Sequence, residues 1–264
     1  MALRFQILGS GSDGNCALLR SDDACVLIDA GFSARRLAAL LEAAGERLEA
    51  VDAIFLTHEH GDHAAGIAGL ARHPHIRVFA NRGTAETVQR SLKHRPAWQL
   101  FETGATFRFR DLEVRTFSVP HDAQDPVGFV VAQGHGDLLS PRRSVAWLTD
   151  LGHAPAHIAA LIRGVDVLAL EANYCPALLD ADTKRPWPVK QRIAGRHGHL
   201  SNHDAAALLA MEGAAWRRVF LAHLSRDCNS PAAVETACGP ALRARGCAFT
   251  VVPAGGGADA ADLP

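Results

Sequence analysis

No stretch of this 264-residue chain approaches the roughly 20 consecutive apolar residues that a membrane-spanning helix needs, so it reads as a soluble protein with no membrane partner. The charged start and long apolar core of a secretory signal are missing too, since MALRFQILGSGS leads straight into a strand-like run. The six cysteines (Cys16, Cys25, Cys175, Cys228, Cys238, Cys247) contain no C-x-x-C pair. They are expected to be reduced thiols in a cytoplasmic protein. Excess charge of either sign is absent. A formal net charge of -1 argues against a protein that coats polyanions and against an acidic-tail protein, while leaving room for a local basic patch. With 48% hydrophobic and 21% charged residues, wholesale disorder is excluded, and the length fits one large domain with a buried core. No internal repeat is visible, and nothing specifies an oligomeric state.

What is present is an alternation of short apolar runs and turn chemistry. LRFQILG, CALLR and CVLIDAG, separated by Gly/Ser/Asp turns, predict a strand meander. Ser33 as N-cap and Leu37, Leu40, Leu41 and Ala44 at helical spacing predict a helix ended by Gly45. AIFLT, RVFA, TFRFRD, LEVRTFSV, VGFVVAQ and SVAWLTD predict further strands, with helices opening near Asp62 and over TAETVQRSLKH. Later helices, at about 155–163 and from Ser201 and Ser230, alternate with the strands VDVLALEAN, RVFLAHLS and CAFTVV. The class is α/β (α+β), in a single domain over residues 1–252. Two stretches break the rhythm. Residues 175–198 hold three prolines with Lys184, Arg185, Lys190, Arg192 and Arg196, and read as a basic loop. Residues 253–264, PAGGGADAADLP, are small and Gly/Ala-rich and read as a flexible C-terminal tail.

The chemistry gathers at the ends of the apolar runs. LTHEHGDHAAG, residues 56–66, places His58, His60, Asp62 and His63 directly after a strand-like segment. Imidazole and carboxylate are preferred ligands of zinc and related divalent ions; a solvated polar turn is the plain alternative. His121 follows TFSVP, Asp150 follows VAWLT and His223 follows VFLA, and strand ends converge when the strands are neighbours in sheets. Asp122, His135 and His153 are rivals of His121. Seven such residues exceed the four ligands of one tetrahedral zinc, which suggests two divalent metal ions bridged by Asp150 and a hydroxide held between them for hydrolysis. Nitrogen and oxygen donors suit zinc or manganese.

THEHGDH matches the H-x-H-x-D-H signature of the metallo-β-lactamase superfamily, and the chain resembles that superfamily over nearly its whole length. The resemblance implies a four-layer αββα sandwich of two mixed β-sheets flanked by helices. It also implies His58, His60 and His121 on one ion, Asp62, His63 and His223 on the other, Asp150 between, and Asp62 orienting the attacking hydroxide. EANY (171–174), GHLSNHDAA (198–206) and LAHLSRDCN (221–229) are similar to the Glu, His-Ser and His-x-Ser elements of tRNA 3′-processing endonucleases (tRNase Z). That similarity implies that Glu171 orients His199, and that His199 protonates the leaving oxygen of a phosphodiester; the plain reading is that Glu171 closes a strand and His199 precedes a helix. LGSGSDGNC, PHDAQDPVGF, GRHGHLSN and HLSRDCN resemble the YycJ/WalJ branch of bacterial DNA exonucleases working from a 5′ end. A nucleic-acid phosphodiesterase acting on DNA is the implied function. A tRNase Z-like RNA endonuclease and a thioester or lactone hydrolase are the alternatives.

Two sets of substrate contacts complete the expectation. Ser10, Ser12 and Asn15 either line the cleft and meet phosphate or merely serve a glycine-rich turn. Lys190 and Arg192 either neutralise backbone phosphates or solvate a face.

Overall fold

Strands covered on both faces carry apolar residues at consecutive positions rather than at every second one, and that is the pattern of CALLR and CVLI. The computed structural model, which describes residues 3–134 and 142–263, shows where the two parities go. In β2 (Cys16–Arg20) and β3 (Cys25–Ile28), Ala17, Leu19, Val26 and Ile28 join the central core, while Cys16, Leu18, Cys25 and Leu27 join a second core beneath helices.

Among the described residues, the strands form two seven-stranded sheets. The first runs β14 (Ala261–Leu263), β1 (Leu3–Gly9), β2, β3, β4 (Ala53–Phe55), β5 (Arg77–Asn81), β6 (Ala97–Phe101). The second runs β13 (Ala248–Val251), β12 (Arg218–Ala222), β11 (Val167–Glu171), β10 (Arg143–Leu148), β9 (Val127–Gln133), β8 (Leu112–Ser118), β7 (Thr106–Phe109). Between the sheets lie Phe5, Phe55, Phe129, Trp147 and Phe220, all fully buried. Phe55 meets Phe79, Phe107, Phe109 and Phe129 at ring-centroid separations of 5.3 to 6.0 Å, mostly edge to face, the arrangement that ring quadrupoles favour. Helices α1 (Ala34–Ala43), α2 (Gly61–Ala64) and α3 (Arg82–Ser91) cover the first sheet through residues such as Leu37, Leu41, Ala64 and Val88. Helices α4 (Ala156–Ile162), α7 (Asn202–Leu209) and α8 (Pro231–Ala244) cover the second through Ile158, Ile162, Leu209, Val234 and Leu242. The order of layers is helix, sheet, sheet, helix, as expected. Ser33, Ser201 and Ser230 cap their helices by accepting from Arg36 N, Asp204 N and Ala233 N, each worth about 1 kcal/mol.

Two expectations need correction, and one strand was missed. Residues 175–198 are not a loop but two short helices, α5 (Pro176–Ala181) and α6 (Trp187–Ile193). Their prolines occupy the cap and first turn, where an N–H has no helical acceptor to lose. The expected tail is not loose over its described residues, 253–263. Gly255 N donates to Ser10 O and Ala258 N to Ile7 O, and β14 pairs antiparallel with β1 through Leu3 and Leu263. The reason is that β1 is a core strand whose outer edge needs a partner. The strand β6, AWQLF, was not anticipated because its interior positions face solvent.

The topology that matters for chemistry is the parallel run of β10, β11 and β12, whose C-terminal ends share one edge, and the parallel pair β3 and β4 in the facing sheet.

Candidate metal centre

At that edge the chain leaves five strands into short loops, and each loop carries a titratable group. Asp29 follows β3, Thr57 and His58 follow β4, His121 follows β8, Asp150 follows β10, and His223 follows β12, while Glu171 ends β11. Asp29, Asp150 and His223 have φ of 61°, 57° and 57°. A left-handed backbone costs a non-glycine residue about 1 kcal/mol or more, so the surrounding contacts must hold these turns. The sharp turns aim the three side chains back over the strand ends. His60 is the N-cap residue of α2, and Asp62 and His63 lie in its single turn.

Four of the imidazoles follow one rule, in which Nδ1 donates to an anchor and Nε2 is left free, while His60 differs, its Nδ1 lying 3.3 Å from His121 Nε2. His63 Nδ1 meets Asp29 Oδ2 at 2.8 Å, His121 Nδ1 meets Gly198 O at 3.0 Å, His199 Nδ1 meets Glu171 Oε1 at 2.8 Å, and His223 Nδ1 meets Asn15 Oδ1 at 3.0 Å. Carboxylate, carbonyl and amide oxygens can only accept, so each contact sets the tautomer. Asp29 also takes Thr57 N and Thr57 Oγ1, and Thr57 Oγ1 lies 3.0 Å from His58 Nδ1.

The inward atoms converge on Asp150. Its Oδ1 lies 3.2 Å from His223 Nε2 and 3.8 Å from His121 Nε2, and its Oδ2 lies 3.0 Å from His63 Nε2. Ligand atoms of His58, His60 and His121 lie within 4.8 Å of one another, as do those of Asp62, His63, Asp150 and His223. These residues fit divalent ions on two grounds. His58 Nε2 and Asp150 Oδ2 are buried and make no hydrogen bond among the described residues, a cost of about 1–3 kcal/mol for a neutral group and more for a charged one, which coordination would relieve. The charge balance also asks for a cation. Burial disfavours a proton on His63, but Asp150, Asp29 and Asp62 together raise its pKa well above the ordinary imidazole value. The same positive charge can come from a metal ion, which binds the deprotonated ring. Burial, reinforced by His63, pushes the His58 pKa well below its usual value, and burial lowers that of His121, which leaves both rings neutral and ready to ligate.

Glu171, fully buried, has a second task. Its Oε2 accepts from Leu151 N and Leu200 N at 3.0 Å each, while Oε1 holds His199. Burial opposes charge on His199, but the Glu171 carboxylate and its hydrogen bond, followed by Asp150, push its pKa up to about 9.

The other expected contacts divide. Ser10 and Asn15 are fully buried and do not face the cleft, which corrects the expectation that they meet substrate. Ser10 Oγ accepts from His223 N and donates to Asn15 Oδ1, and Asn15 Nδ2 donates to Asp62 O at 3.3 Å and lies 3.1 Å from His63 Nε2. Gly31 lets this loop lie so close, since a Cβ there would stand 1.7 Å from Asp62 O. Ser12 is exposed. Lys190 donates to the Asp180 carbonyl, and Arg192 pairs with Asp122, beside His121. Lys184 and Arg185 pair with Asp227, so the basic stretch is largely neutralised by acids from elsewhere in the chain. His153 bonds Arg196 rather than joining the ligands, and His135 lies outside the described residues. Asp29, Thr57 and the structural role of Asn15 were not anticipated; the acid closing the apolar run CVLIDAG was the available signal.

A model of the beta-lactamase superfamily domain matches residues 25–224. The chain belongs to the metallo-β-lactamase superfamily. It is 33% identical over 232 residues to exodeoxyribonuclease YycJ of Bacillus anthracis, covering 87% of this chain and 85% of that one. To exodeoxyribonuclease WalJ of Streptococcus pneumoniae it is 32% identical over 239 residues, covering 87% and 84%. The metallo-beta-lactamase fold protein YhfI of Bacillus subtilis superposes with a TM-score of 0.72 at 15% identity, covering 97% of this chain and 99% of that one, which shows the shared fold. The protein is a metal-dependent hydrolase of this superfamily.

Proposed function

We propose that this protein is a two-metal-dependent phosphodiesterase acting on nucleic acid, specifically a DNA exonuclease that works from the 5′ end. The observation that carries the reading is the buried Glu171 carboxylate 2.8 Å from His199 Nδ1, which presents a charged imidazole beside the ligand cluster. A departing ribose or deoxyribose oxygen is a poor leaving group that needs a proton, whereas a thiolate does not; a fixed donor therefore favours phosphodiester over thioester cleavage. The exodeoxyribonuclease names of relatives at 32–33% identity support DNA as the substrate.

His58, His60, His121 and Asp150 would hold one ion, and Asp62, His63, His223 and Asp150 the other, with zinc or manganese suited to the donors. Bound there, the ions supply Lewis acidity to the phosphoryl oxygens and lower the pKa of the attacking water. Asp62, half-buried beside His63, is the carboxylate that orients that water. Glu171 keeps His199 charged and aimed, and His199 passes its proton to the departing oxygen. Six free cysteines support a cytoplasmic enzyme.

End-labelled duplex DNA and a 3′-extended tRNA precursor, each incubated with zinc- or manganese-loaded protein and with the Asp62→Ala variant, test the reading. Stepwise mononucleotide release from the 5′ end of DNA, lost in the variant, is expected. A single internal cut in the precursor would transfer the protein to the RNA endonucleases, and inertness toward both substrates would move it to carbonyl chemistry.

A further inference from the structure

Among the described residues, four large apolar side chains are exposed, and three of them, Leu178, Trp187 and Val189, lie within α5 and α6. Trp187 is 63% exposed, an expensive position for an indole whose burial elsewhere in the chain is nearly complete at Trp147 and Trp216. Its backbone is held firmly. Pro186 and Pro188 flank it, and the preceding Arg185 is tied to both Asp182 and Asp227. Beside the indole is a recess of about 260 Å³, whose lining includes Tyr174, Leu179, Trp187 and Lys190 together with one acid, Asp180. Lys190 donates to a carbonyl, that of Asp180, rather than to a carboxylate.

This platform is linked rigidly to the reacting centre. At the far end of α6, Ile193 O accepts from His199 N, and Ile193 packs against Tyr174, Leu179 and Cys228. Six residues at 1.5 Å of rise put Trp187 about 9 Å along the helix from that anchor. A flat apolar face next to a lysine, at this remove from a proton donor for phosphodiester cleavage, matches the parts of a nucleotide: a base with two apolar faces and an anionic backbone.

We propose that Trp187 is a stacking platform for a nucleobase of the strand being cut, with Lys190 beside its backbone. The proposal rests on the nuclease reading and adds the base, rather than the phosphate alone, as a recognised group. Stacking on an aromatic side chain is indifferent to base identity, which suits an enzyme that degrades any sequence.

The test is steady-state cleavage of a 5′-phosphorylated oligodeoxynucleotide by metal-loaded wild type, Trp187→Ala and Trp187→Phe. A matched strand in which abasic residues flank the cleaved bond is run in parallel. Stacking predicts that Trp187→Ala raises KM on the natural strand roughly 10-fold or more, that Trp187→Phe raises it several-fold less, and that the abasic strand does not discriminate among the three proteins. Equal losses on both strands, or no loss, would overturn the platform while leaving the nuclease intact. Sedimentation of the same proteins covers the other occupant: an assembly that Trp187→Ala dissociates, with KM unchanged, would assign the patch to a second copy of the chain. If wild type cleaves no nucleic acid, the functional reading fails, and the platform fails with it.

Discussion

His199 keeps its charge against the cost of burial because a carboxylate sits 2.8 Å from its Nδ1. In protein stripped of metal, an NMR titration should find this ring protonated up to about pH 9. The sign follows from the neighbour. Glu171 favours the imidazolium, so Glu171→Gln should lower the midpoint toward the ordinary histidine range near 6.5, and an unchanged midpoint would dismiss Glu171 as the cause. In the loaded enzyme, His199→Ala should reduce kcat by about 100-fold or more with metal content intact by elemental analysis. Asn15 is a different kind of residue, one that acts through its neighbours. Asn15→Ala leaves His223 Nδ1 without its acceptor and loosens Asp62, and should weaken the binding of one of two ions by roughly 10- to 100-fold in calorimetric titration. The ligand candidates were legible because each is a histidine or aspartate directly after an apolar run. The anchors were not, since Asp29 lies 34 positions from His63 and Asn15 lies 208 positions from His223, and such contacts exist only after the sheets assemble.

At the scale of elements, β14 shows how little sequence signal a functional strand can carry. ADL has no β-branched residue and no alternation long enough to read, yet it covers the open edge of β1 and buries Leu263. Burying one leucine contributes about 1.5–3 kcal/mol, and at this chain length each kcal/mol moves the melting midpoint by roughly 2–4 °C. Deleting residues 258–264 should therefore lower the midpoint by roughly 5 °C in calorimetry and promote association through the bared edge; an unchanged midpoint would mean the pairing adds nothing. The capped helices were legible because Ser33, Ser201 and Ser230 precede periodic apolar positions. The α5–α6 pair was obscured by prolines, which break a helix interior but begin a helix readily. The pairing of Lys184 and Arg192 was hidden for a different reason: Asp227 and Asp122, their partners, belong to distant segments.

At the scale of the whole molecule, two sheets of opposite parentage bring carboxylates and imidazoles to one buried edge, and a ligand that binds only this folded arrangement stabilises it. Removing metal with a chelator should lower the melting midpoint, and restoring zinc or manganese should raise it again; an ion at 100 times its Kd stabilises by about 2.7 kcal/mol. The strands and helices were legible from apolar runs and turn residues, and the layered architecture through the resemblance to the superfamily, whereas the anchoring contacts between the two halves were not, because no local pattern encodes which strand ends will meet. Glu171 links that architecture to inheritance. One carboxylate oxygen secures Leu151 N, next to Asp150, and Leu200 N, next to His199. The two loops therefore form a single unit of exchange: a chimera that imports residues 150–153 from a relative without residues 196–201 should misplace the proton donor, whereas one that imports both should keep it.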